Sequence, residues 1–191
     1  PSSSYPNPTL KIQHSTLEFP YGNLFWGNEF KGDEIDKFLN GQEIHNGQNN
    51  AINLDGVNIG SWLMWEGLMW GGGLISEKDI TNKMTSVIGP LSFNNFRDSV
   101  YKNYITRADI QRISNECYNV VRIPFNHNLL EDDANPFVYK PEGWAILDSA
   151  LKWCEDYNVY AVLDMHAAPG GQATHFIADP DSIDLWNSPV N

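Results

Sequence analysis

Positive charge is scarce in this chain. Twelve Lys and Arg stand against 24 Asp and Glu over 191 residues, a formal net charge of -12. A surface this acidic repels phosphate backbones, which argues against nucleic acid as a partner. Long apolar runs are absent too. No stretch of 18 apolar residues occurs, so no transmembrane helix, and hence no membrane association, is expected. There are only two cysteines, Cys117 and Cys154, and neither sits in a CxxC pattern, so no zinc or iron–sulfur site is suggested. Both fall on apolar stripes of expected helices, which points to two buried thiols on facing helices rather than a disulfide. His127, His166 and His175 match no metal-ligand spacing, so neither a metal nor a cofactor is expected.

What the chain has in quantity is apolar and aromatic surface: 41% hydrophobic residues, with seven Trp, eight Tyr and nine Phe. That suffices for one domain with a sizeable core and argues against disorder. Aromatic rings also offer flat apolar faces with polar edges, the surface that binds a neutral sugar without needing counter-charge.

Residues 1–37, punctuated by Pro1, Pro6, Pro8 and Pro20, read as an irregular N-terminal extension pinned by Phe19, Tyr21, Phe25, Trp26 and Phe30. The turn pairs Asn40-Gly41 and Asn46-Gly47 then bracket a hairpin. A buried strand follows at Val57–Gly60. Residues 61–91 read as a long loop rich in Trp and Gly. A helix is expected over 92–104 from Phe93, Phe96, Val100 and Tyr104. A second runs from Arg107 to Cys117 behind a capping box of Thr106 and Asp109. Asn119–Pro124 is a short β-branched run ended by proline, as buried parallel strands are. Trp144, Leu147, Leu151 and Cys154 mark a third helix, to about Asp156. Val159–His166 is a further buried strand. The order gives an α/β chain with two strand–helix–strand crossovers and three adjacent parallel strands.

In such sheets the loops after the strands build the binding site, so polar residues at carboxyl strand ends are the ones to weigh. Asn58, Arg122 and His166 stand out, one per strand. A guanidinium between Val121 and Ile123 requires an acceptor for its charge, and Glu116, Asp164 and Asp133 are candidates. Asp164 shares a side with His166, so it either orients the imidazole or pairs with Arg122. His127 follows the second strand closely and lies near the same mouth. Trp62, Trp65 and Trp70 are three indoles in nine residues. Such a cluster either packs the loop or offers a stacking platform for pyranose rings, and at least one of them is expected to touch sugar.

The runs Leu54-Asp55-Gly56-Val57-Asn58-Ile59-Gly60-Ser61-Trp62-Leu63, Val121-Arg122-Ile123-Pro124 and Leu163–Gln172 resemble glycoside hydrolase family 5, as does Leu147–Cys154 before the third strand. The resemblance spans about Phe38 to Asn191. It implies a (β/α)₈ TIM barrel, of which this chain carries the first three strands, with an N-terminal extension and hairpin before them. Residues 38–191 would then be an incomplete barrel domain lacking strands four to eight. The resemblance implies a retaining hydrolase of β-glucans, secreted or periplasmic. Arg122 would hold the nucleophile carboxylate ionised, with its partner on a strand not among these residues. His166 would line the subsite of the cleaved sugar, and Asn58 the end of the first strand. The family's acid/base lies in an Asn-Glu-Pro motif, which this sequence lacks, so the chain by itself is expected to be inactive. The expected partners are a β-glucan and the missing half of the barrel, as a second chain or a self-associated copy. The competing reading is a sugar-binding protein of the same fold without catalysis.

Overall fold

The computed structural model describes residues 24–26, 39–40, 43–45, 50–181 and 185–187. The anchoring roles expected of Phe19, Tyr21 and Phe30, of the Phe25 and Trp26 side chains and of the Asn46-Gly47 turn lie outside what is described.

Two small sheets account for the strands. The first joins β2 (Leu39–Asn40), β3 (Glu43–His45) and β4 (Ala51–Ile52) in an antiparallel meander. The expected hairpin is thus a three-stranded unit. The second sheet carries the candidate site. Its strands are β1 (Leu24–Trp26), β5 (Gly56–Asn58), β6 (Val120–Asn126) and β7 (Tyr160–Ala167), in the order β1-β7-β6-β5. β5, β6 and β7 run parallel. β1 pairs antiparallel with the outer edge of β7, Leu24 opposite Leu163, so the first 37 residues are not irregular throughout. The described residues therefore form an open, partial α/β barrel of three parallel strands.

Helices α1 (Glu77–Ile88), α2 (Pro90–Asn103) and α3 (Arg107–Asn115) connect β5 to β6, and α4 (Pro141–Asp156) connects β6 to β7. α3 begins where Asp109 accepts hydrogen bonds from the Thr106 amide and hydroxyl, both at 2.8 Å. Pro90 and Pro141 start α2 and α4 at positions where the missing N–H costs nothing. α1 falls inside the stretch read as a loop. Its signals are local: Ser76 caps the Asp79 amide at 3.2 Å, and Ile80 and Met84 recur at helical spacing.

The alternation of β6 sorts its residues between two faces. Val121, Ile123 and Phe125 point into the main core with Leu147, Ala150 and Cys154 of α4 and Ile110 of α3. Arg122 points the other way. β6 does not end at Pro124. It continues to Asn126, with Pro124 opposite Asp164. The strand carrying Asn58 was expected to be buried. It is short and half exposed, because β5 is the sheet's free edge. A second core, Trp65, Ile80, Phe93 and Val100, binds α1 and α2 to the loop after β5.

The two thiols are not a facing pair. Cys154 is buried in the main core, whereas Cys117 is exposed at a positive φ of 68° just past α3. Apolar surroundings push the Cys154 thiol up to about 12.

Candidate active site

Parallel pairing brings three polar side chains to one end of one face. Asn58, Arg122 and Val162 are register partners across β5, β6 and β7, so Asn58 and Arg122 stand side by side, with Asp164 one step further along. Arg122 Nη1 donates to Asn58 Oδ1 at 2.6 Å, and its Nη2 pairs with Asp164 Oδ2. Nη2 also lies 2.8 Å from His166 Nδ1, and that nitrogen is 2.9 Å from Asp164 Oδ2. Asp164 therefore does both things expected of it: it balances the guanidinium and faces the imidazole. Arg122 thus has a charge partner inside this chain, Asp164, one of the three acceptors expected for it.

A β-bulge helps set His166. Phe125 pairs with Met165 and Asn126 with Ala167, which leaves His166 as the extra residue. Bulges of this kind re-aim side chains near sites. Nδ1 faces a guanidinium donor and a carboxylate acceptor, while Nε2 has no hydrogen-bond partner among the described residues. The ring is about a quarter exposed, so Nε2 can receive a ligand group. Gln172 braces the following loop: its Nε2 donates to His166 O at 2.6 Å and its Oε1 accepts from the Ala168 amide at 3.1 Å. Gly170 and Gly171 turn that loop at positive φ. Trp186 covers it, its indole N–H donating to Gln172 O at 3.0 Å.

The other expected contacts fall elsewhere. Trp62 and Trp65 are 1% exposed and belong to the two cores; their indole N–H groups donate to Tyr101 O and Trp62 O. Neither presents a face to solvent, because Trp62 is packed in the main core and Trp65 between the loop after β5 and α1 and α2. Trp70 is the exposed member of the three, at 37%. It packs on Trp65 and stacks on Tyr104 at 6.1 Å. Its neighbour Met69 lies across Gly60, where an added Cβ would meet the Met69 methyl at 2.8 Å and Asn58 Nδ2 at 3.4 Å. The Trp70 loop thus folds down beside Asn58. His127 is buried with both nitrogens engaged, Nδ1 with Ala167 O at 3.1 Å and Nε2 with Asp133 Oδ1 at 2.6 Å. It ties the loop after β6 to the end of β7 and has no nitrogen left for a sugar.

Behind this mouth lies a buried polar cluster that the sequence reading missed. Glu77 Oε2 accepts from the Trp65 amide at 2.9 Å and from Asn126 Nδ2 at 3.3 Å. The same Asn126 amide donates to Asp179 Oδ2 at 3.0 Å, and Asp179 Oδ1 accepts from the Lys78 amide at 2.8 Å. Burial, and secondarily the Asp179 carboxylate, push Glu77 up to about 7 despite its hydrogen bonds. No local spacing shows that Asp179, a hundred residues on, lies against Glu77. Ser61 Oγ is the buried side-chain polar atom without a partner among the described residues. No group of His, Cys, Asp and Glu among them is arranged to hold a metal ion, and no described helix is long and apolar enough to cross a membrane.

Comparison with known proteins bears on the family and the fold. A family model described as cellulase (glycosyl hydrolase family 5) matches residues 79–187. A beta-xylosidase of Phanerodontia chrysosporium is 34% identical over 143 residues, covering 74% of this chain and 29% of that protein. Endoglucanase C of Acetivibrio thermocellus is 35% identical over 100 residues, 48% of this chain and 29% of its own length. The crystal structure of a rutinosidase from Aspergillus niger superposes with a TM-score of 0.55 at 25% identity, over 66% of this chain and 36% of that one. The chain spans less than a third of the length of those two curated relatives. With more than half of its residues matched by the family model, and with its polar strand ends gathered at one mouth, the chain belongs to the cellulase family, glycosyl hydrolase family 5.

Proposed function

We propose that the protein is a retaining hydrolase of β-glucans and that these residues build one wall of the subsite holding the sugar to be cleaved. The observation that carries this reading is the hydrogen-bonded group Asn58–Arg122–Asp164–His166 at the carboxyl ends of three adjacent parallel strands. Ligands of parallel α/β sheets bind at that end. His166 Nε2 meets a sugar hydroxyl, and Trp70, the partly exposed indole, stacks against a pyranose face. Arg122, already charged and oriented by Asp164, keeps a neighbouring carboxylate ionised as a nucleophile. An endoglucanase among the relatives supports the substrate class.

Retention requires two carboxyl groups roughly 5–5.5 Å apart. The sequence holds no Asn-Glu-Pro, so on this reading the acid/base glutamate, and with it the nucleophile, is supplied by polypeptide beyond these residues, continuous with them or in a different chain. One glutamic acid protonates the glycosidic oxygen as the other carboxylate attacks the anomeric carbon, expelling the leaving sugar. The resulting glycosyl ester is cleaved by water, which gives its proton to the first glutamate. β-Glucan polymers are met outside the cytoplasm, so on this reading the protein is secreted or periplasmic.

The test uses the complete protein on a soluble β-glucan, with the anomer of the first product followed by proton NMR. The β anomer is expected first, the Arg122→Lys variant should lose about 10²–10³ in kcat, and the 191-residue chain alone should show no turnover. An α anomer first, glucan binding without hydrolysis by the complete protein, or turnover by the isolated chain would overturn the proposal.

A further inference from the structure

The cluster behind the mouth joins three loops that the sheet alone does not hold together. Glu77 opens α1, at the end of the loop after β5. Asn126 ends β6. Asp179 lies in the loop after β7, which begins at Ala168, two residues past His166. Glu77, Asn126 and Asp179 are all at least nine-tenths buried. Two carboxyl groups thus share the amino group of one asparagine, at 3.3 and 3.0 Å. Every donor on them is neutral: the Trp65 and Lys78 amides and the Asn126 amide. The nearby cations, Lys78 and Arg97, act on this pair through space and bond to neither carboxylate. The Lys78 ammonium pairs with Asp181 at the exposed rim, and the Arg97 guanidinium of α2 lies over the Phe93 ring. Tyr101, also on α2, is a further titratable group beside Glu77 among the described residues, and its own burial holds its phenol un-ionised. Two buried negative charges with no cation bonded to either are strongly disfavoured against one charge and one neutral acid.

We propose that Glu77, held as its neutral acid, closes a proton-dependent clasp with Asn126 and Asp179 that docks the loop after β7 onto α1. The clasp fixes the loop that runs from Ala168, just past His166, through Gln172 to Asp179, so the candidate site is tightest under mildly acidic conditions and loosens as the pH rises through neutrality. The position of the clasp, not its chemistry, depends on the hydrolase reading, and its test uses no sugar.

The sign follows from Glu77. Its folded-state pKa, about 7, lies above the 4.5 of the free side chain. Its contribution to stability is therefore fully present below about pH 4.5 and is lost as the pH rises to about 7. Over that interval the folding equilibrium constant of the chain should fall on the order of a hundredfold relative to that of Glu77→Gln. The glutamine keeps an oxygen to accept from Trp65 and Asn126 and carries no charge. Urea unfolding of both proteins from pH 4.5 to 8 reads this difference. Hydrogen exchange at the Trp65 and Lys78 amides, corrected for intrinsic base catalysis, should lose protection above pH 7 in the parent and not in the variant. Parallel pH profiles for the two proteins would overturn the proposal. Should Glu77→Gln fail to fold, infrared difference spectra of the unaltered chain decide it. An un-ionised carboxylic acid band that titrates near neutrality supports the clasp, and its absence at pH 6 refutes it.

Discussion

Replacing Asp164 by Asn tests the arrangement on which the candidate site rests. The carboxylate sits 7% exposed between Arg122 and His166, while the Arg122 side chain remains 33% exposed. Breaking a fully buried ion pair costs roughly 3–5 kcal/mol, and breaking an exposed one roughly 0–1 kcal/mol. With one partner buried and the other reached by water over a third of its surface, an intermediate coupling of about 2 kcal/mol is expected. The second arm of the cycle is Arg122→Met, which retains the stem and removes the charge. The double variant leaves no buried charge without a partner, so it should be more stable than the two single losses added together. Chemical denaturation of the four proteins, with equal m-values, measures the coupling. A coupling below about 0.5 kcal/mol would mean that the pair is solvated and that Asp164 does not orient Arg122. The same cycle run with His166→Ala separates the guanidinium from the imidazole as the partner the carboxylate serves.

Two further outcomes follow from the packing. Gly143, in the first turn of α4, lies so close to β6's following segment that a Cβ there would fall 1.9 Å from the Leu129 carbonyl oxygen. A backbone atom cannot rotate away, so Gly143→Ala should destabilise the chain by about 1–3 kcal/mol in urea unfolding, despite alanine's better helix propensity. A stabilised variant would show that α4 is not seated on this loop. Thiol labelling distinguishes the two cysteines: a maleimide should modify Cys117 rapidly in the folded chain, and Cys154, buried with its thiol pushed up to about 12, only in denaturant. Equal labelling in the native state would place Cys154 outside the core.

Much of the fold was readable because it rests on local pattern. α2, α3 and α4 appear as 3.6-residue apolar spacing with recognisable starts, and β6 and β7 as short branched runs. α1 was missed because glycines and indoles before it set the tone of the whole segment, although Ser76 marks its start. Arg122 and His166 were legible because charge in an apolar strand is costly and needs a reason. The Trp residues were not. An indole that stacks on sugar and one that fills a core have the same composition, and only their burial, 1% for Trp65 against 37% for Trp70, tells them apart. His127 failed as an expected contact for the same reason: its partners Asp133 and Ala167 are set by chain folding.

The sequence by itself determined most of the run of elements from β5 onward, the parallel order of β5, β6 and β7, and the polar residues at their ends. Those features depend on side-chain period and backbone propensity, which act over a few residues. Tertiary structure alone decided which charges meet. Arg122 found Asp164 forty-two positions away, and Glu77 was brought to Asp179 across a hundred, because burial and register set those distances and no local spacing encodes them.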